Sequence, residues 1–198
     1  AYGGSVYLST ILGAWLADRI WGAERTLFIA GIVVMTGHIL LAIVPGLMGL
    51  LLGLVFIALG SGGVKSSAGS MVGSLYERED LRELRDAGFS IFYISINIGG
   101  FLGPLLTGIL QDRMGFHYGF GAAAVGMAFG LLWYSRGRKN LPHTPVPNPL
   151  RPEKVQTAMA VGVLLVLVLG SVIASGALTL ENFSRWLLGV VIVTVVAY

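Results

Sequence analysis

Residues 59–69 read Leu59-Gly60-Ser61-Gly62-Gly63-Val64-Lys65-Ser66-Ser67-Ala68-Gly69, and Lys65 at their centre is the only charged residue between Arg25 and Glu77. Everything around it is apolar or small. About 20 apolar residues suffice to cross a hydrocarbon core, and the chain on both sides of Lys65 reads as membrane helix. A lysine at the centre of such a helix costs about 2.5–3.5 kcal/mol on insertion scales. Residues that expensive face a partner or a water-filled pathway. Lys65 therefore points to transport.

The composition agrees. The 198 residues are 55% hydrophobic and 12% charged, with a mean hydropathy of +0.81. Soluble domains carry about 25% charged residues, so the bilayer is the solvent here. The 29 glycines suit closely approaching membrane helices. Cysteine is absent, which excludes disulfides and thiolate metal sites. The basic residues lie between apolar runs, where membrane orientation explains them better than nucleic acid does. The chain begins Ala1-Tyr2-Gly3-Gly4, without a charged leader, inside an apolar run. That predicts a piece of a longer polypeptide.

The apolar runs predict an all-α, polytopic membrane helix bundle. Helices are expected over Tyr2–Ala17, Thr26–Val44, Leu47–Tyr76, Ala87–Leu110, Phe116–Tyr134 and Val155–Leu178, with a last one beginning near Phe183. Glu77 to Asp86 reads as a charged loop. Residues 136–154 hold Pro142, Pro145, Pro147, Pro149 and Pro152 and read as an extended cytoplasmic linker. The organisation is thus 1–135 as a first bundle, 136–154 as linker and 155–198 as two further helices, the second incomplete. Arg19, Arg25, Arg78, Arg82, Arg85, Arg136, Arg138, Lys139, Arg151 and Lys154 fall in alternate loops. The positive-inside tendency puts them in the cytoplasm. The first helix then runs inward, and a bundle with both ends cytoplasmic needs one helix before it.

Lys65 lies about 18 Å along its helix from Glu77, at about 1.5 Å per residue, which is near mid-membrane. A snorkelling lysine on a shorter helix is the plainer alternative. The glycines and serines around it suit a packed or cavity-lining face. The acids of the chain all sit in loops or at helix ends. The expected partner of Lys65 is therefore a ligand or an acid elsewhere in the protein.

Two stretches carry a family resemblance. Gly13-Ala14-Trp15-Leu16-Ala17-Asp18-Arg19-Ile20-Trp21-Gly22 resembles the Gly-x-x-x-Asp-Arg-x-Gly loop of the major facilitator superfamily, although the basic run that usually follows is thin here. Asp86-Ala87-Gly88-Phe89-Ser90-Ile91-Phe92-Tyr93-Ile94-Ser95-Ile96-Asn97-Ile98-Gly99-Gly100 resembles the fifth-helix signature Phe-x-x-Phe-Tyr-x-x-x-Asn-x-Gly of proton-coupled oligopeptide transporters. The Val-Pro-Asn-Pro-Leu of residues 146–150 is similar to the linker of bacterial members. The resemblance spans essentially the whole chain. It implies the N-terminal half of a major facilitator fold: helices two to six, then two accessory helices.

By that resemblance the protein is a symporter importing di- and tripeptides with protons across a bacterial inner membrane. It implies no cofactor beyond the coupling proton. Tyr7 matches a tyrosine that contacts peptide, Lys65 a fourth-helix lysine linked to peptide binding and proton coupling, and Asn97 an asparagine that bonds the peptide backbone. The family often has Pro-Asn or Ala-Asn after its lysine, where this chain has Ser66-Ser67. Asp18 and Arg19 would belong to a cytoplasmic gating loop. A first helix and a C-terminal bundle of the same protein would complete the cavity. Read without the resemblance, Asn97 could equally make an interhelical hydrogen bond, Tyr7 could mark the membrane interface, and His38 reads as a packing residue. A same-fold carrier of nitrate or another small anion is the nearest rival. A non-transporting scaffold or sensor is the rival of another class. No phosphate loop, metal-spaced cluster or nucleophile–base pair supports an ATPase or an enzyme.

Overall fold

A computed structural model describes residues 2–141, 145–151 and 153–157, with isolated positions beyond, and side chains from Ser9 onward. The helices expected over 155–178 and 183–198 lie outside the described residues, those few positions apart. The observed order is α1 (Tyr2–Leu16), a π-helical turn (Ala17–Trp21), α2 (Gly22–Ile43), α3 (Gly46–Leu75), a 3-10 helix (Glu79–Leu84), α4 (Arg85–Met114), α5 (Phe116–Gly137) and a short 3-10 helix (Arg138–Asn140). Four helical runs, Ser9–Ile43, Gly46–Leu75, Glu79–Met114 and Phe116–Asn140, are long and apolar enough to cross a membrane.

The helices extend further than the apolar runs. α2 starts at Gly22, four residues before Thr26, because Ala23-Glu24-Arg25 contains nothing that breaks a helix. Polar residues at the far end of α4 also remain helical, so Gly115 alone joins α4 to α5. Its φ of 104° lies in a region that L side chains rarely adopt. The charged segment after α3 is tightened by Arg78, whose guanidinium donates to both Asp80 carboxylate oxygens at 3.1 and 2.9 Å.

α3 is the hub, packed against both α1 and α2. Its glycines make this possible. A Cβ on Gly60 would lie 2.7 Å from the Ala30 carbonyl, and one on Gly53 would lie 2.9 Å from that of Gly37. A Cβ on Gly62 would overlap the backbone of Ser9, and one on Gly13 would lie 2.6 Å from the Gly63 Cα. The helices therefore approach backbone to backbone. Without water to withdraw from, membrane helices gain stability from such close packing. The Ser9 hydroxyl adds a bond across the α1–α3 seam, donating to the Ala58 carbonyl at 2.5 Å.

α5 is fastened to α2 at both ends. At one end the His117 Nδ1 is 3.1 Å from the Leu41 carbonyl oxygen. Nearby, the His38 ring lies beside Phe120, 6.5 Å between centroids, which is a packing role. At the other end Arg138 pairs with Glu24 and lies over the Phe28 ring at 4.6 Å. The Tyr134 hydroxyl reaches the Glu24 carbonyl at 3.4 Å. This cluster ties the start of α2 to the end of α5. The Arg138 and Glu24 side chains retain 34% and 21% of their exposure, so solvent weakens the pair. Glu24→Gln is expected to destabilise the bundle by about 1 kcal/mol, read as a small fall in the melting temperature of the full-length protein in detergent.

The proline-rich segment is not a loose strand. The Asn148 and Leu150 backbone N–H groups donate to the carbonyls of Asp18 and Arg19 at 2.9 and 3.0 Å. The Arg19 guanidinium makes a longer contact, 3.5 Å, to the Asn148 carbonyl. Gly22, at φ 77°, ends the π-helical turn. The Asp18 and Arg19 carbonyls thus lack a following helical turn of donors, and the linker supplies them. Leu150→Pro deletes one donor. Losing a bond of about 0.5–1.5 kcal/mol should raise amide exchange or proteolysis around residues 17–22 by roughly 3- to 10-fold.

Candidate functional site

The site is built from α3, α4 and α1. Lys65 stands on α3 with its side chain exposed, while Gly62, Gly63 and Ser67 beside it are buried against neighbouring helices. Asn97 stands on α4, also exposed. Its amide nitrogen donates to the Tyr93 carbonyl one turn earlier, at 2.8 Å. That bond holds the side chain along its own helix and leaves the amide oxygen facing outward.

Depth relates the two residues. α3 and α4 touch where Gly88 packs against the Tyr76 ring and where a Cβ on Gly73 would be 3.9 Å from Phe89. From that contact, Lys65 is about three turns up α3, or ~16 Å, and Asn97 about two and a half turns up α4, or ~14 Å. The antiparallel pair therefore brings an ammonium and an amide to one level of the membrane. Tyr7 lies on α1, two residues before Ser9, whose hydroxyl marks the level of Ala58. Its backbone is then roughly 10 Å from Lys65 along the bundle axis, on the side away from Tyr76. The Tyr7 side chain lies outside the described residues.

α4 is the least covered helix. From Tyr93 through Leu106 its residues are exposed, and a Cβ on Gly99, Gly100 or Gly103 would meet nothing within 4 Å. Pro104 interrupts the helical ladder. Having no N–H, it leaves the Gly100 carbonyl without its usual donor. Gly100 is one turn beyond Asn97 on the same face. In a membrane, such a freed carbonyl is tolerated where it lines a cavity or meets protein. Lys65, Asn97 and the Gly100 carbonyl together offer a cation, an amide and an acceptor, which suits a zwitterion with a peptide group.

One expectation is corrected. The census of acids put the partner of Lys65 outside this chain, yet the structure gives Lys65 an interaction within it. An acid census overlooks the other groups a lysine can meet, since its three N–H donors reach hydroxyl and carbonyl oxygens as readily. Asp18 and Arg19 lie in the π-helical turn, away from the three residues above, and meet the linker through their backbone carbonyls. Sequence reasoning missed that contact, as it missed the Ser9–Ala58 and His117–Leu41 bonds. Among the described residues no cluster of His, Asp or Glu could hold a metal ion.

Comparison with known proteins places this geometry. The POT family profile (PTR2) matches residues 24–188. The chain is 45% identical over 188 residues to the uncharacterized transporter YclF of Bacillus subtilis, covering 92% of this chain and 37% of that protein. It is 48% identical over 139 residues to a di-/tripeptide transporter of Lactococcus lactis, covering 69% of this chain and 28% of that one. A crystal structure of a peptide transporter POT in complex with sulfate superposes with a TM-score of 0.83 at 44% identity, covering 96% of this chain and 40% of that chain. The chain thus spans about a third of the length of these relatives. Its helices form the N-terminal part of a major facilitator fold. The profile match and the superposed bundle together show that the chain belongs to the POT family.

Proposed function

We propose that this chain supplies one side of the cavity of a proton-coupled symporter that imports di- and tripeptides by alternating access. The observation that carries the reading is Lys65, an exposed ammonium inside a membrane-spanning helix and level with Asn97 on α4. A transporter of zwitterions needs such a group at mid-depth, where repeat-built carriers hold their substrates. The similarity to proteins named di-/tripeptide transporters supports the substrate class. Lys65 meets the peptide carboxylate, Asn97 and Tyr7 meet its backbone, and protonation of an acid elsewhere in the protein alters how Lys65 is engaged. Asp18 and Arg19 sit at the cytoplasmic gate. The membrane is the bacterial plasma membrane.

The test is uptake of labelled dialanine by the full-length protein in vesicles with an inward proton gradient. Accumulation above equilibrium that collapses with the gradient is the expected result. Gradient-driven uptake of nitrate with none of dipeptide would replace this reading with the anion carrier. Uptake of neither would leave a scaffold or sensor.

A further inference from the structure

α5 presents two unlike faces. Toward α2 it is packed, with Tyr134 stacked on Phe28 at 6.2 Å and Leu131 filling the space beside Gly31. On another face Val125, Phe129 and Trp133 follow one another at i, i+4 and i+8, exposed to 71%, 66% and 72%. Phe129 and Trp133 stack on each other at 6.1 Å. Beside them opens a groove of about 470 Å³ lined, among the described residues, by Phe129, Gly130, Trp133 and Tyr134. A Cβ on Gly130 would meet nothing within 4 Å, so the missing side chain leaves room there.

The mouth of the groove is basic. Arg136 is one turn beyond Trp133, and Lys139 follows in the short 3-10 helix. Both are exposed, and neither has a carboxylate within ion-pair distance among the described residues. Arg138, between them, is already committed to Glu24. Two cations at the rim of an aromatic groove match a chemistry that is apolar along its length and anionic at its end.

We propose that this groove binds an anionic phospholipid of the cytoplasmic leaflet. The acyl chain lies along Val125, Phe129 and Trp133, over Gly130, and the phosphate is met by Arg136 and Lys139. The lining itself separates lipid from a helix as occupant. The helix–helix seams of this protein are made of glycine and serine, where backbones meet, whereas this face is bulky and aromatic. Tryptophan and tyrosine also mark the headgroup level, which puts the cations at phosphate depth. Basic pockets on the cytoplasmic side of helix bundles are suited to anionic headgroups.

The experiment is native mass spectrometry of the full-length protein in equimolar phosphatidylglycerol and phosphatidylcholine. Wild type is expected to retain phosphatidylglycerol several-fold over phosphatidylcholine. The double variant R136Q/K139Q is expected to lose that preference, and Lys139→Gln alone to reduce it. Gly130→Leu is expected to lower retention of both lipids by filling the groove. Undiminished phosphatidylglycerol preference in R136Q/K139Q, or none in wild type, would overturn the assignment. So would a photocrosslinker at position 133 that captured protein instead of lipid.

Discussion

Lys65→Ala in the full-length protein is expected to abolish gradient-driven accumulation of dipeptide while leaving the protein folded in the membrane. A charge-assisted hydrogen bond to a carboxylate is worth about 1.5–3 kcal/mol, so peptide affinity should fall by roughly 10- to 100-fold. Stability should move the other way or not at all. Deleting the ammonium removes an insertion cost of about 2.5–3.5 kcal/mol. The contact that Lys65 makes within the chain is worth about 0.6 kcal/mol if it is a typical intramembrane hydrogen bond. Uptake assays and a thermal melt on the same preparation therefore separate function from structure. A lysine that served mainly to hold helices together would lower both together. Unchanged accumulation would remove Lys65 from the mechanism.

Gly62→Ala is expected to be among the most damaging single-methyl changes in the bundle, and Gly69→Ala, two turns along the same helix, among the mildest. At Gly62 the new Cβ would overlap the Ser9 backbone, and backbone cannot swing aside as a side chain can. Forcing α1 and α3 apart costs about 1–3 kcal/mol by overpacking and also strains the Ser9–Ala58 bond. At Gly69 a Cβ would meet nothing within 4 Å. There the gain in helix propensity, up to about 1 kcal/mol, is all that remains. Opposite shifts in melting temperature are the expected outcome. Equal shifts would mean that the α1–α3 seam is looser than its geometry.

Much of the fold was legible in the sequence, because bilayer physics writes itself into composition. One charge in a long apolar run located α3 and its functional lysine, and the fifth-helix motif identified the family through Asn97. Helix ends were less legible. Ala23-Glu24-Arg25 is polar yet helical, since polarity says where a helix leaves the membrane and not where it stops. The linker contact was invisible for a different reason. Asn148 and Leu150 act through backbone N–H groups that almost any residue would supply. The partner of Lys65 was misjudged because only acids were counted.

The paired amides of Asn148 and Leu150 change the mechanics of the chain beyond the linker. A free proline-rich tether extends by about 3.1 Å per residue. With its far end moored to the Asp18–Arg19 turn, the stretch from Leu141 to Leu150 contributes no slack, which shortens the leash by about 30 Å. Whatever lies past Arg151 is then confined to a smaller volume beside the bundle, at a higher effective concentration than the length of the linker would suggest.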